Sequence, residues 1–178
     1  RWNHITFIDP DLLAPFKTLK VLNLVKNSLT EFPDLTLVAS TLYWLYLDAN
    51  LIREIKYEYV DPLTNIDAIS LKWNKLTSFP AFGRAATKMR SLWFSDQNLG
   101  AIGPANFSNF TKLYYLRITR AGLVAFPDLG QVRYTLKELE LWSNRISTID
   151  HELLLNFHAL QVLGLKDNLL TEFPDVSP

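Results

Sequence analysis

Apolar positions along this chain fall on a comb, with neither a helical stripe nor long strand alternation. In LQVLGLKDNLLTEFP, Leu160, Leu163, Leu165, Asn168, Leu170 and Phe173 occupy offsets 1, 4, 6, 9, 11 and 14. The same comb recurs back along the chain. Its first position holds Leu19, Leu42, Ile66, Met89, Leu113, Leu136 and Leu160, in steps of 23 and 24 residues. Its ninth reads Asn3, Asn27, Asn50, Asn74, Gln97, Ala121, Asn144 and Asn168. A period of this size marks a repeat architecture. Seven full or nearly full repeats follow a partial N-terminal one, so residues 1–178 read as a single array.

The comb predicts local structure. Offsets 4 and 6 lie two apart, so in a strand both side chains point the same way, into the core. One unit cannot bury that face alone, and stacked neighbours make one continuous core. Each repeat should therefore give a short parallel strand, and the array a curved parallel sheet. An Asn after the strand suits a bend, because its amide can bond backbone groups of adjacent turns. The roughly ten residues from there to the next strand hold little more than one helical turn.

Two repeat types alternate, giving a unit of 47 residues. One continues into Phe32-Pro33, Phe79-Pro80, Phe126-Pro127 or Phe173-Pro174-Asp175-Val176, where Pro suits an irregular return segment. The other places Ile8, Ile55, Ile102 or Ile149 there, then the inward pairs Leu13/Phe16, Val60/Leu63, Phe107/Phe110 and Leu154/Phe157. Asp9, Asp61 and Asp150 follow the ends of the Ile-type repeats and read as caps of turns or helix starts. The Asn row breaks at Gln97 and Ala121. Gln97 can still reach with one more methylene, whereas Ala121 cannot donate. A local loosening or change of curvature is expected there.

The pattern LxxLxLxxNxLxxL resembles the leucine-rich repeat family over essentially the whole chain. That resemblance implies an α/β solenoid: a right-handed horseshoe with a curved parallel sheet on the concave face and short helical turns or loops on the convex side. Members with units of this length and an apolar return-side pair are mostly extracellular. They bind proteins, less often glycans or lipids, on the concave face. The Phe-Pro/Ile alternation is similar to invertebrate secreted members. Arg1 begins in mid-repeat and Pro178 precedes the return of the last one, so the chain reads as a fragment lacking both caps.

Composition narrows the function. Eighteen basic residues against eighteen acidic give no electrostatic reason to expect nucleic acid. No apolar run of about 18 residues predicts insertion into a membrane. Cysteine is absent, which removes thiol catalysis and cysteine-based zinc sites from this stretch. No phosphate loop, calcium loop or zinc spacing occurs, so no cofactor or metal is expected. His4, His151 and His158 lie on return segments or edges without a nucleophile placed beside them, and the chain reads as non-enzymatic.

The candidate chemistry lies on the outward slots of the strands, offsets 3 and 5 with 7 and 8 along the rim. All five tryptophans occupy them: Trp2, Trp44, Trp73, Trp93 and Trp142. Tyr43, Tyr46, Tyr114 and Tyr115 flank them on the same strands. Aromatics favour strands in general, but these avoid the inward slots that Leu, Ile, Met and Phe fill. Large aromatic side chains anchor protein interfaces. The expected binding face is Tyr43, Trp44, Tyr46, Trp73, Trp93, Tyr114, Tyr115, Arg117 and Trp142. Lys72, Arg90, Arg117, Arg120, Lys137, Glu138 and Glu140 are expected to orient a partner.

Asn106-Phe-Ser and Asn109-Phe-Thr are two glycosylation sequons within six residues of return segment. With Phe107 and Phe110 inward, both Asn should lean outward, consistent with a secreted or cell-surface protein. Three functions compete. A protein-recognition or adhesion module comes first, a scaffold or non-catalytic subunit of a larger complex second, and a glycan-binding protein third.

Overall fold

The computed structural model describes residues 3–174. Trp2, Asp175 and Val176 lie outside the described residues. Among the described residues seven strands follow the comb: β1 (Val21–Asn23), β2 (Trp44–Tyr46), β3 (Ala68–Ser70), β4 (Ser91–Ser95), β5 (Tyr115–Thr119), β6 (Glu138–Glu140) and β7 (Val162–Gly164). They form one parallel sheet in chain order. The register aligns like offsets, so Leu22, Leu45, Ile69, Leu92, Leu116, Leu139 and Leu163 stand in one inward row.

Between strands the chain makes single helical turns. Pro10–Leu13, Thr36–Val38, Gly83–Thr87, Pro104–Phe107 and Gly130–Tyr134 are 3₁₀, while Tyr57–Val60 and His151–Leu154 are α-helical. The short return path favours the tighter helix. Its apolar side chains close the core from behind. Phe79 packs on Phe82, Phe94 and Phe107 with ring centroids 5.0–6.1 Å apart, and Phe82 packs on Phe110 at 5.7 Å. The pairs Val60/Leu63 and Phe107/Phe110 are buried as expected, whereas Phe16 is exposed.

The Asn row is a hydrogen-bonded ladder. Asn74 Nδ2 donates to the carbonyls of Leu71 and of Leu47 one repeat earlier, while its Oδ1 accepts from Ile52 N–H. Asn50, Asn144 and Asn168 repeat this arrangement. The residue just before the ladder position has a positive φ in all seven described repeats: Lys26, Ala49, Trp73, Asp96, Arg120, Ser143 and Asp167, at 47–59°. None is glycine. In six of them the N–H donates to the next repeat, as from Ala49 to Lys72 and from Trp73 to Ser95, both at 2.8 Å. That bond and the ladder hold a conformation that costs about 1–2 kcal/mol per residue.

Gln97 rejoins the ladder, with Nε2 on Leu71 O at 2.8 Å and Oε1 accepting from Leu76 N–H. The sheet is not loosened at the break. Strands β4 and β5 pair over five residues, to Ser95 and Thr119, where the other pairs span three. The irregularity sits in the bend behind the strands. Bonds such as Lys75 N–H to Ile52 O link successive bends at five junctions, and among the described residues those from Asn98 to Leu76 and from Gly122 to Leu99 are missing.

Asp9 and Asp150 cap their turns, accepting from the N–H groups of Asp11 and Glu152. Asp61 corrects the expectation of a start cap. It lies at the end of Tyr57–Val60 and staples two repeats, accepting from Arg84 N–H, Arg84 Nε and the Tyr57 hydroxyl at 2.7–2.9 Å. The equivalent N-cap positions are Lys56 and Gly103.

Candidate binding face

Two outward rows form the concave face. The first runs Val21, Trp44, Ala68, Ser91, Tyr115, Glu138, Val162, and the second Asn23, Tyr46, Ser70, Trp93, Arg117, Glu140, Gly164. Strands stand about 4.8 Å apart, so Trp44 and Tyr115 are separated by about 14 Å. Between them lie small residues, Ala68, Ser70 and Ser91, all buried. The aromatic side chains thus form two groups flanking a narrow floor. Tyr43 and Trp44 make one, with ring centroids 5.7 Å apart; Tyr114 and Tyr115 make the other, at 4.5 Å.

Exposure separates the candidates. Trp44, Trp73 and Tyr43 are exposed, at 41, 50 and 37%, while Tyr46, Trp93, Tyr114, Tyr115, Arg117 and Trp142 are half-buried. Trp73 stands at the rim, at the position of positive φ that precedes the ladder residue. Trp142 lies across Gly164, where a Cβ would come within 2.9 Å of the indole. The Arg117 guanidinium stands 5.2 Å from the ring. Part of the aromatic row therefore serves packing within the face.

The charged side chains also pair internally, which the sequence did not announce. Lys72 meets Asp48, Arg90 meets Asp67, Arg120 meets Asp96 and Arg117 meets Glu140, each pair joining neighbouring repeats. Asp48 additionally accepts from Ser70 Oγ and Lys72 N–H. Arg90 reaches two repeats back, donating from Nη2 to the Tyr43 hydroxyl at 2.8 Å, and Trp44 Nε1 donates to Asp67 at 3.5 Å. The bond and charge of Asp67 raise the Arg90 pKa further above its ordinary value. Four expected partner-orienting residues, Lys72, Arg90, Arg117 and Arg120, thus help to rigidify the face itself. Lys137 stands over Tyr114 at 4.7 Å.

On the convex side, Asn106 is half-buried with its Oδ1 accepting from Gly103 N–H, while Asn109 is exposed. The three histidines are exposed, with His4 far along the chain from His151 and His158. Among the described residues no group of three or more His, Cys, Asp or Glu is placed to hold a metal ion. No described helix is long and apolar enough to cross a membrane.

Residues 135–177 match the family model described as leucine rich repeat. With the comb, the ladder and the single parallel sheet running through the rest, the chain has the leucine-rich-repeat solenoid fold. No curated protein matches it. Among solved structures, one chain of the octameric complex of Latrophilin 3, Unc5D and FLRT2 (LRR) aligns with TM-score 0.57 and 23% identity. The alignment covers 80% of this chain and 50% of that one. A chain of the Toll–Spatzle complex, described as a molecular hub in Drosophila development and innate immunity, aligns with TM-score 0.61 and 18% identity. It covers 94% of this chain and 29% of that one. The protein therefore spans half or less of each of these two chains, and the likeness is one of fold.

Proposed function

We propose that this chain is a non-enzymatic recognition module that binds a partner protein on its concave face. The observation that carries the reading is the exposure of Tyr43, Trp44 and Trp73 on a face whose charges are largely satisfied internally. Rigid, exposed aromatic side chains gain contact area at small entropic cost, which suits interface anchors. Both solved complexes named above are assemblies of proteins, in keeping with this role. The module acts outside the cell, secreted or on a cell-surface ectodomain, and carries N-linked glycan at Asn109 in preference to Asn106. A glycan on that convex side leaves the concave face open.

The test is affinity capture from extracellular fluid and membrane extracts with the wild-type chain, compared with a Trp44→Ala/Trp73→Ala/Trp93→Ala variant whose fold is verified by circular dichroism. A protein retained by the wild type and released by the variant supports the reading. Equal capture by both would sink it. Glycan-array binding lost in Trp93→Ala, with no protein partner, would favour sugar recognition instead. A stable stoichiometric complex that hides the tryptophans would favour the scaffold role. Glycopeptide mass spectrometry of secreted material should find Asn109 occupied and Asn106 largely free.

A further inference from the structure

The edge where the chain enters its strands carries an open hollow of about 910 Å³. It runs from β1 to the segment before β5, four strand spacings or about 19 Å. About six residues of extended polypeptide fill that length. Val21, Tyr43 and Trp44, each about two-fifths exposed, supply its apolar surface on the first two strands, and Asn65 and Asp67 line it on the third coil. Lys20 stands at one end, and Lys88 and Lys112, on adjacent coils, at the other. These three lysines are exposed and form no ion pair among the described residues. The hollow has one carboxylate, Asp67, and Arg90 already occupies it. A chain of zero net charge therefore concentrates positive charge here.

We propose that this hollow receives an extended acidic segment of the partner protein. An apolar side chain lies on Tyr43 and Trp44, and carboxylates on either side of it reach Lys20 and the Lys88–Lys112 end. The proposal rests on the reading of the concave face as a protein-binding surface. To that reading it adds the position and charge of the bound chain. The Trp44–Asp67–Arg90–Tyr43 network fixes the walls before binding, which lowers the ordering cost. Cations on either side of the Tyr43–Trp44 pair match an amphipathic peptide. A sulfated or phosphorylated track would need a continuous cationic row.

The experiment selects phage-displayed random dodecapeptides on the wild-type chain, then measures the selected peptides by fluorescence anisotropy at several salt concentrations. The comparison proteins are Lys20→Glu/Lys88→Glu/Lys112→Glu, Trp73→Ala and Trp93→Ala on the concave face, and Val124→Ala at an exposed position off that face. The expected peptides carry Asp or Glu on both sides of an aromatic or large aliphatic residue. The triple variant, folded by circular dichroism because its changes are exposed, should weaken them about tenfold or more, and added salt should weaken them too. Val124→Ala should leave them unchanged. Selected peptides without acidic residues, full binding by the triple variant, or no selected peptide at all would each overturn the proposal. Peptides lost on Trp73→Ala and Trp93→Ala but kept by the triple variant would leave concave recognition standing and remove the hollow from it. Equal displacement by heparin-derived oligosaccharides would assign the hollow to a sulfated glycan and likewise overturn it.

Discussion

A single buried amide decides how each coil meets the next. Asn74, 1% exposed, serves two carbonyls and one N–H across two repeats. Removing it strands backbone groups away from water, at about 1–3 kcal/mol for each group left unpaired. Asn74→Ala should therefore lower the unfolding free energy by about 2–4 kcal/mol in urea titrations. The reverse change is available at Ala121, where the ladder lacks its amide. Ala121→Asn should add about 1 kcal/mol and raise Tm by about 2–4 °C, provided the side chain takes the ladder rotamer. A lower Tm would show that the bend has repacked around the alanine. The ladder was legible from spacing alone. The positive φ beside it was not, because Lys, Ala, Trp, Asp, Arg and Ser share no local preference for that conformation.

At the scale of elements, the return segments are joined by side chains that no short motif announces. Asp61 ties the turn Tyr57–Val60 to the next turn, Gly83–Thr87, and the Arg84 side chain and N–H hold its carboxyl down to about 2. Its unfolded value is about 3.9, so the contribution is complete above about pH 4 and disappears as pH falls through about 2. Urea titrations across that range should show the stability gap between wild type and Asp61→Asn closing toward the acid end. A gap that persists at pH 2 would contradict the assignment. Gly83 completes this joint, with φ +53° and Asp61 Oδ1 only 2.2 Å from where a Cβ would stand. Gly83→Ala should break the staple, which a shifted Asp61 titration by NMR would report. The aspartate was visible in the sequence as a turn residue, but its partner lies 23 positions away and is fixed by stacking.

Across the whole molecule, stability is distributed as contacts between neighbouring repeats. The Phe79–Phe82–Phe94–Phe107–Phe110 cluster concentrates it in the middle of the array. Phe79→Ala should cost about 3–5 kcal/mol, and hydrogen exchange should quicken around β3 to β5 more than at β7. Phe173→Ala, at a Phe-Pro position that is 57% exposed, should cost less than about 1 kcal/mol. The comb by itself determined the repeat boundaries, the parallel sheet, the inward rows and the candidate concave slots. Those follow from strand alternation and from the need of every coil to bury the same face, both local and periodic constraints. The tertiary structure decided which aromatic side chains remain exposed, which charges cancel within the face, and where the lysine-rimmed hollow lies. Those depend on side chains brought together across one to four strand spacings, and the repeat period sets the slots without saying what the neighbouring slots will do to them.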